Sequence, residues 1–138
     1  MNTSEQDRYH IERVQGRIES EDALAAFERL MAWCDSTRGV FVYPLSRGPL
    51  SAIYLAARPV SRKYADCPFG FLGARDHLRW IFRGPCFDTG LCDQTDVERR
   101  FECDVNDNSG ELMTNLHTLA DANAVIAFIG PLLARRKA

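Results

Sequence analysis

Residues 77–83 offer the clearest group of polar side chains that could recognise a ligand. Their sequence, HLRWIFR, alternates polar and apolar side chains as a half-buried strand does. A strand would place His77, Arg79 and Arg83 on one face and Trp80 on the opposite face. Because arginine binds phosphates and carboxylates through paired hydrogen bonds, this face is a candidate site for an anionic group or for partner carboxylates.

Nucleic-acid binding is an alternative use of the same basic and aromatic segment, since arginine contacts phosphates and exposed rings stack on bases. Two observations argue against it. The chain has 17 Lys or Arg residues and 19 Asp or Glu residues, a formal net charge of −2. A predicted neighbouring strand also carries Glu98, Glu102 and Asp104, whose carboxylates would pair with the arginines across the sheet. We therefore expect no nucleic-acid partner.

The five cysteines could serve as disulfides, metal ligands or nucleophiles. Their odd number and irregular spacing are not those of a disulfide framework in a secreted protein. Cys34 and Cys103 fall on apolar faces and are predicted to be buried. Cys67, Cys86 and Cys92 lie in predicted loops, and their roles stay open.

A zinc site would need Cys67, Cys86, Cys92 and His77, which are suitable ligands but contain no C-x-x-C pair. Cysteine catalysis would need Cys86 or Cys92 beside His77 or His117, and the sequence gives no such geometry. No motif of the common hydrolases, metalloproteases or nucleotide-binding enzymes is present. We therefore predict no metal and no cofactor, and the missing motifs weigh against an enzyme.

The acidic segment 104–111, DVNDNSGE, begins like a calcium-binding loop, with oxygen ligands at alternate positions. The match fails at its sixth position, Ser109, where such loops have glycine. It fails again at the twelfth position, Asn115, where they have a glutamate. The segment is predicted to be a turn that leads from a strand into a helix.

Residues 21–36 give the strongest prediction of a single element. Ser20 is a good helix N-cap, and acidic residues follow it in the first turn. Apolar side chains recur at helical spacing and form one stripe: Leu24, Phe27, Leu30, Met31 and Cys34. Trp33 projects from the edge of that stripe and is a candidate residue of a binding surface.

Residues 40–57 predict a β-hairpin, because two apolar segments flank a turn at 46–49. Tyr43 belongs to its first strand and Tyr54 to its second. Alternation at 97–105 predicts a further strand, in addition to the one at 77–83.

One-sided alternation in successive strands is typical of an antiparallel sheet with one covered face. The predicted cover is the helix at 21–36 together with a C-terminal helical segment that starts near Ser109. The fold class is therefore α+β, with an antiparallel sheet of four to five strands. Residues 1–138 are predicted to form a single domain in which residues 1–8 are loosely held.

The C-terminal segment 124–134 is the most apolar part of the chain. On a helical wheel its large side chains extend almost all round: Val125, Ile126, Phe128, Ile129, Leu132 and Leu133. Gly130 and Pro131 should kink or interrupt this helix. Because one small domain covers such a helix with difficulty, we predict that a second copy shares it, most simply in a two-fold dimer.

The leading hypothesis is a non-catalytic interaction protein, a homodimer that presents a partly apolar surface to a protein partner. The alternative is a small-molecule-binding or enzymatic domain, with a pocket between sheet and helices closed by loops 58–76 and 84–96. Four residues are predicted to line that pocket: Tyr43, Tyr54, His77 and Trp80. The start of the chain lacks an apolar signal segment, and no apolar run could span a membrane, so a cytoplasmic location is expected.

Overall fold

A computed structural model describes residues 4–136, with side chains described for residues 4–134. The elements are α1 (Glu5–Gly16), α2 (Glu21–Ser36), β1 (Phe41–Arg47), β2 (Leu50–Ala56), α3 (Lys63–Asp66), β3 (Phe69–Gly73), β4 (Leu78–Phe82), α4 (Gly84–Asp88), α5 (Gln94–Arg100), β5 (Asp104–Val105), β6 (Leu112–Leu116) and α6 (Leu119–Arg136). The described residues therefore form an α+β fold, as the sequence predicts.

The first two helices begin where serine side chains cap them. Ser4 accepts a hydrogen bond from the amide of Asp7, and Ser20 accepts one from the amide of Ala23. The predicted helix at 21–36 is confirmed as α2. Helix α1 begins inside segment 1–8, which was expected to be loosely held; residues 1–3 lie outside the described part of the chain.

The six strands of residues 4–136 form one sheet in the order β1-β2-β3-β4-β6-β5, and every neighbouring pair is antiparallel. The antiparallel sheet is confirmed, with one strand more than the predicted four to five. The strand beyond those expected is β6, which lies where a helix was predicted, and β3 lies in the long connection 58–76. The predicted hairpin at 40–57 is present as β1 and β2.

Two predicted elements are wrong, and both errors have the same physical origin. Within the predicted strand at 97–105, residues 97–100 belong to helix α5 and only residues 104–105 form a strand, β5. Residues 112–116 form strand β6, where a helix was expected. Val97 and Phe101, like Leu112 and Leu116, are four residues apart. A spacing of four fits one face of a helix and also one face of a strand, so apolar spacing alone cannot separate them.

Helix α6 packs its apolar side against its own chain, mainly against α2. Ala122, Val125 and Ile129 are fully buried, while small residues form an exposed stripe: Asn123, Ala124, Ala127, Pro131 and Ala134. The prediction that large apolar side chains extend almost all round the helix is therefore wrong, and most of the exposed residues are alanine or proline. The helix also continues through Pro131, whose missing amide would have bonded the carbonyl of Ala127 on the solvent side, where water can replace the bond.

The main core lies on the sheet face that α1, α2 and α6 cover. A smaller apolar cluster lies on the other face, where Ala52, Tyr54 and Ala56 of β2 contact Cys67. Both faces of the sheet thus have an apolar cover, the second under the segment that precedes β3. No helix within residues 4–136 has the length and apolar character needed to cross a membrane.

Candidate ligand-binding cleft

A disulfide shapes the chain segment between β4 and α5. Cys86 in α4 is bonded to Cys92, six residues later, and the Cys92 amide also donates to the Cys86 carbonyl at 3.1 Å. Gly90 has a φ of 74°, a left-handed conformation that lets the chain reverse between the two cysteines. The roles that the sequence left open for these two cysteines are therefore structural: they close a loop beside α6.

An open cleft of about 700 Å³ lies between this looped segment and α6. Four of its lining residues are apolar: Phe87 and Leu91 from the loop side, and Phe128 and Leu132 from α6. Its polar lining residues lie at the start of α5, where they are exposed to solvent: Asp93, Gln94 and Asp96. The cleft thus combines an apolar lining with an acidic border.

The two carboxylates of the border keep their charge available to a ligand. Asp93 caps α5 by accepting a hydrogen bond from the Thr95 amide at 2.8 Å. Within residues 4–134, neither Asp93 nor Asp96 forms an ion pair with a cationic side chain. The guanidinium of Arg100 lies over the Phe128 ring, 5.3 Å from its centroid, so one positive charge accompanies the two negative ones.

A second hollow of about 320 Å³ lies on the other side of Leu91, which lines both cavities. It is formed by Ala56, Ala57, Arg58, Val60, Asp66, Pro68, Pro85 and Thr89. It lies between segments 58–76 and 84–96, the two loops expected to close a pocket between sheet and helices, and no described residue of α1, α2 or α6 lines it. The expected lining is different, because none of the four residues predicted to line a pocket borders either of these two cavities.

The tryptophans proposed as binding residues belong to the core. Trp80 is fully buried and stacks on Phe71, with ring centroids 5.8 Å apart and planes 14° apart. Its indole N–H has no hydrogen-bond partner among the described residues. Trp33 is 9% exposed and packs in the same cluster. Neither ring is available as a binding surface.

Arg83 and Tyr54 do meet, but inside the protein. The Arg83 guanidinium contacts the rings of Tyr54 and Tyr64, 4.9 Å and 4.6 Å from their centroids, and the two rings also contact each other edge-on at 5.6 Å. It pairs with the Glu111 carboxylate at 3.1 Å and donates to the carbonyls of Tyr64 and Cys67. Burial raises the pKa of the Tyr54 hydroxyl, while the hydrogen bond and the positive charge of Arg47 act in the opposite direction. The expected exposed site at Arg83 is therefore a buried structural network.

Arg79 and Tyr43 also find partners within the chain. Arg79 donates from Nη1 to Asp104 at 3.0 Å and to Asn115 at 2.7 Å. Of the three acidic residues expected opposite the arginines, Asp104 is the one that pairs with Arg79. Tyr43 accepts a hydrogen bond from the Val60 amide, and the Lys63 ammonium lies over its ring.

His77 lies directly before β4, and His117 directly after β6. Because β4 and β6 are antiparallel with Leu78 opposite Leu116, continuing that register places the two histidines opposite each other. Their ring centroids are 5.4 Å apart, and Asp76 lies beside them. The sequence singled out His77 but not this cluster, since recognising it requires β6 to be a strand.

No known protein family, curated protein or solved structure matches the chain. The cleft beside α6 is the larger of the two cavities described above, and it is the one that combines an apolar lining with carboxylates that form no ion pair within residues 4–134; the carboxylate of the second cavity, Asp66, pairs with Arg62.

The remaining cysteines give a direct chemical test of the fold. Cys34 and Cys67 are buried and Cys103 is partly exposed. Burial raises the pKa of Cys34 and of Cys67 to about 12, and it also raises the pKa of Cys103. Since the thiolate is the reactive form, we expect at most one thiol to react with Ellman's reagent in the folded protein.

The same measurement in guanidinium chloride should release three thiols without reduction and five after reduction, from the three free and two bonded cysteines. Four or more reactive thiols in the unfolded, unreduced chain would contradict the Cys86–Cys92 bond.

Proposed function

We propose that this protein is a non-catalytic ligand-binding domain, and that the cleft between the looped segment and α6 holds a small organic cation with an apolar body. The observation that carries this proposal is a cleft of about 700 Å³ that has both an apolar lining and two carboxylates. Neither carboxylate has an ion-pair partner within residues 4–134. Such a volume lies within the range of small-molecule sites.

Each part of the cleft matches one part of such a ligand. Phe87, Leu91, Phe128 and Leu132 would contact the apolar body and remove its surface from water. The carboxylates of the border would attract the ammonium group, which can stay partly hydrated at the exposed edge. The described lining offers no free thiol, histidine or hydroxyl, which favours binding without a chemical step.

Helix α6 favours this function over the leading hypothesis of a homodimeric interaction protein. A homodimer was predicted because α6 was expected to leave apolar surface uncovered. That reason is weaker in the structure, because Ala122, Val125 and Ile129 are fully buried within their own chain, and Phe128 and Leu132 line the cleft. A homodimer and a protein partner stay predictions, and the alternative of a small-ligand site becomes the better supported one.

The test is a titration followed by amide chemical shifts, with phenethylamine as the probe. We expect shifts at residues 87–96 and 128–132, with an affinity of about millimolar for so small a molecule. The anion 3-phenylpropionate and the neutral 2-phenylethanol have a similar apolar body and should bind more weakly.

Variants test the role of charge. The double variant Asp93→Asn/Asp96→Asn should weaken phenethylamine binding about tenfold, since two exposed charge contacts are each worth up to about 1 kcal/mol. Asparagine caps helices as well as aspartate does, so α5 should be retained. Asp107→Asn, at an exposed acid that does not line the cleft, is the matched control. Equal binding of all three probes, or shifts centred elsewhere, would refute the proposal.

A further inference from the structure

Asp76, His77 and His117 form a compact cluster at one end of the sheet, and none of them lines the cleft. One nitrogen from each ring and one carboxylate oxygen all lie within 4.8 Å of one another. The cluster is open to solvent, with 72% of the Asp76 side chain and 22% of the His77 side chain exposed.

Hydrogen bonds within the cluster orient both rings. His77 Nδ1 is 2.7 Å from Asp76 Oδ1, and His117 Nδ1 is 3.3 Å from the Asp76 carbonyl oxygen. Because the Asp76 carboxylate accepts the hydrogen bond from His77, His77 Nδ1 and Asp76 Oδ1 hold one proton between them, which a metal ion can replace.

The backbone of the cluster is held on both sides. The His77 carbonyl accepts from the Ala74 amide at 2.9 Å, which closes the turn between β3 and β4. On the other side, the amide of His117 donates to Asp121 at 2.8 Å. This contact fixes the chain at the start of α6.

We propose that Asp76, His77 and His117 bind a divalent transition-metal ion of the Zn²⁺ type, with water completing its coordination. Two imidazoles favour Zn²⁺, Ni²⁺ or Cu²⁺ over Mg²⁺ and Ca²⁺, which prefer oxygen ligands. A set of two imidazoles and one carboxylate, with water in the fourth position, is found in known zinc sites.

The distances allow binding with a small adjustment. Metal–ligand bonds of about 2.0–2.1 Å in a tetrahedral site hold ligand atoms about 3.4 Å apart. The present limit of 4.8 Å exceeds that by somewhat more than 1 Å. Rotation of solvent-exposed side chains can close such a gap without moving β4 or β6.

The test is calorimetric titration of the full chain with zinc chloride, and with magnesium chloride for comparison. We expect one Zn²⁺ per chain and no detectable Mg²⁺ binding at the same concentrations. His77→Gln, His117→Gln and Asp76→Asn should each weaken Zn²⁺ binding at least about tenfold, since each removes a ligand and even residues that only orient a metal ligand contribute about this much.

Cys103→Ser is the matched control, because Cys103 is the partly exposed free thiol and an alternative zinc ligand. It should leave Zn²⁺ binding unchanged. Substoichiometric Ni²⁺ added to the wild-type protein gives a readout that needs no variant: the amide signals of residues 76–79 and 115–118 should broaden first.

Absence of Zn²⁺ binding, or binding that survives in both histidine variants, would overturn the proposal. Loss of binding in Cys103→Ser would place the metal on the thiol instead. Because none of these three residues lines the cleft, phenethylamine binding should be the same in His117→Gln as in the wild type, which separates this proposal from the proposed function.

Discussion

Replacing Arg83 by methionine is expected to lower the free energy of unfolding by about 3–5 kcal/mol, because the substitution leaves a buried carboxylate without its charged partner. Arg83 and Glu111 are each only 5% exposed, and Nε of Arg83 lies 3.1 Å from Oε2 of Glu111. Arg47 reaches the same carboxylate at 3.5 Å, so it compensates only in part. Urea unfolding followed by circular dichroism measures the difference.

The loss should extend to the segment before β3. The Arg83 guanidinium binds the carbonyls of Tyr64 and Cys67 and contacts the rings of both Tyr54 and Tyr64. Without these contacts, the cover over the second sheet face loses its polar anchor. We therefore expect faster amide exchange at residues 62–68 in the Arg83→Met variant than in the wild type.

Arg79→Met is the matched control, since the sequence places Arg79 and Arg83 on the same strand face. The Asp104 side chain that pairs with Arg79 is 70% exposed, and such surface pairs contribute about 0–1 kcal/mol. The double variant Arg83→Met/Glu111→Leu should recover part of the lost stability, because it removes the unpaired charge as well. Equal costs for Arg79→Met and Arg83→Met would show that burial of the Arg83 pair does not stabilise the fold.

The contrast between these two arginines shows what alternation can predict and what it cannot. The pattern of residues 77–83 correctly predicts a strand and assigns Trp80 to the core face. The pattern does not show whether another segment covers the opposite face, because polar side chains alone predict exposure to solvent. Segment 58–68 covers that face near Arg83 but not near Arg79, and this cover depends on contacts between residues far apart in the chain.

Helix α2 was predictable because its cap, its acidic first turn and its apolar stripe all indicate the same element. Residues 97–101 and 112–116 lack this agreement, because a spacing of four suits both a helix and a strand. The Asp93 side chain, which caps α5, was the local signal that could have decided the first case.

These two elements also explain why the sites were missed. The cleft depends on α5 being a helix beside α6, and the opposition of His77 and His117 depends on β6 being a strand paired with β4. Once β4 and β6 are aligned with Leu78 opposite Leu116, the next residue at that end of the pair is His77 on one strand and His117 on the other, so the two lie opposite each other. Because these two short elements were predicted wrongly, neither candidate site could be predicted from the sequence.

Gly73→Ala is expected to lower the free energy of unfolding by about 2–3 kcal/mol, near the upper end of the range for overpacking a tight contact. A Cβ added at Gly73, the last residue of β3, would lie 2.2 Å from the Val14 carbonyl oxygen and 3.2 Å from Cγ1 of Ile18. The obstacle is the backbone of α1, which cannot turn aside as a side chain can, so the helix must shift away from the sheet.

That shift would also stretch the hydrogen bond from Arg17 Nε to the Gly73 carbonyl, now 3.1 Å. Urea unfolding should report the lost stability, and faster amide exchange confined to α1 would locate it. Gly16→Ala is the matched control on the same helix, because a Cβ there meets nothing within 4 Å. It should stabilise the protein by up to about 1 kcal/mol, since alanine favours helix over glycine. Equal stabilities for the two variants would contradict the close contact between α1 and β3 at Gly73.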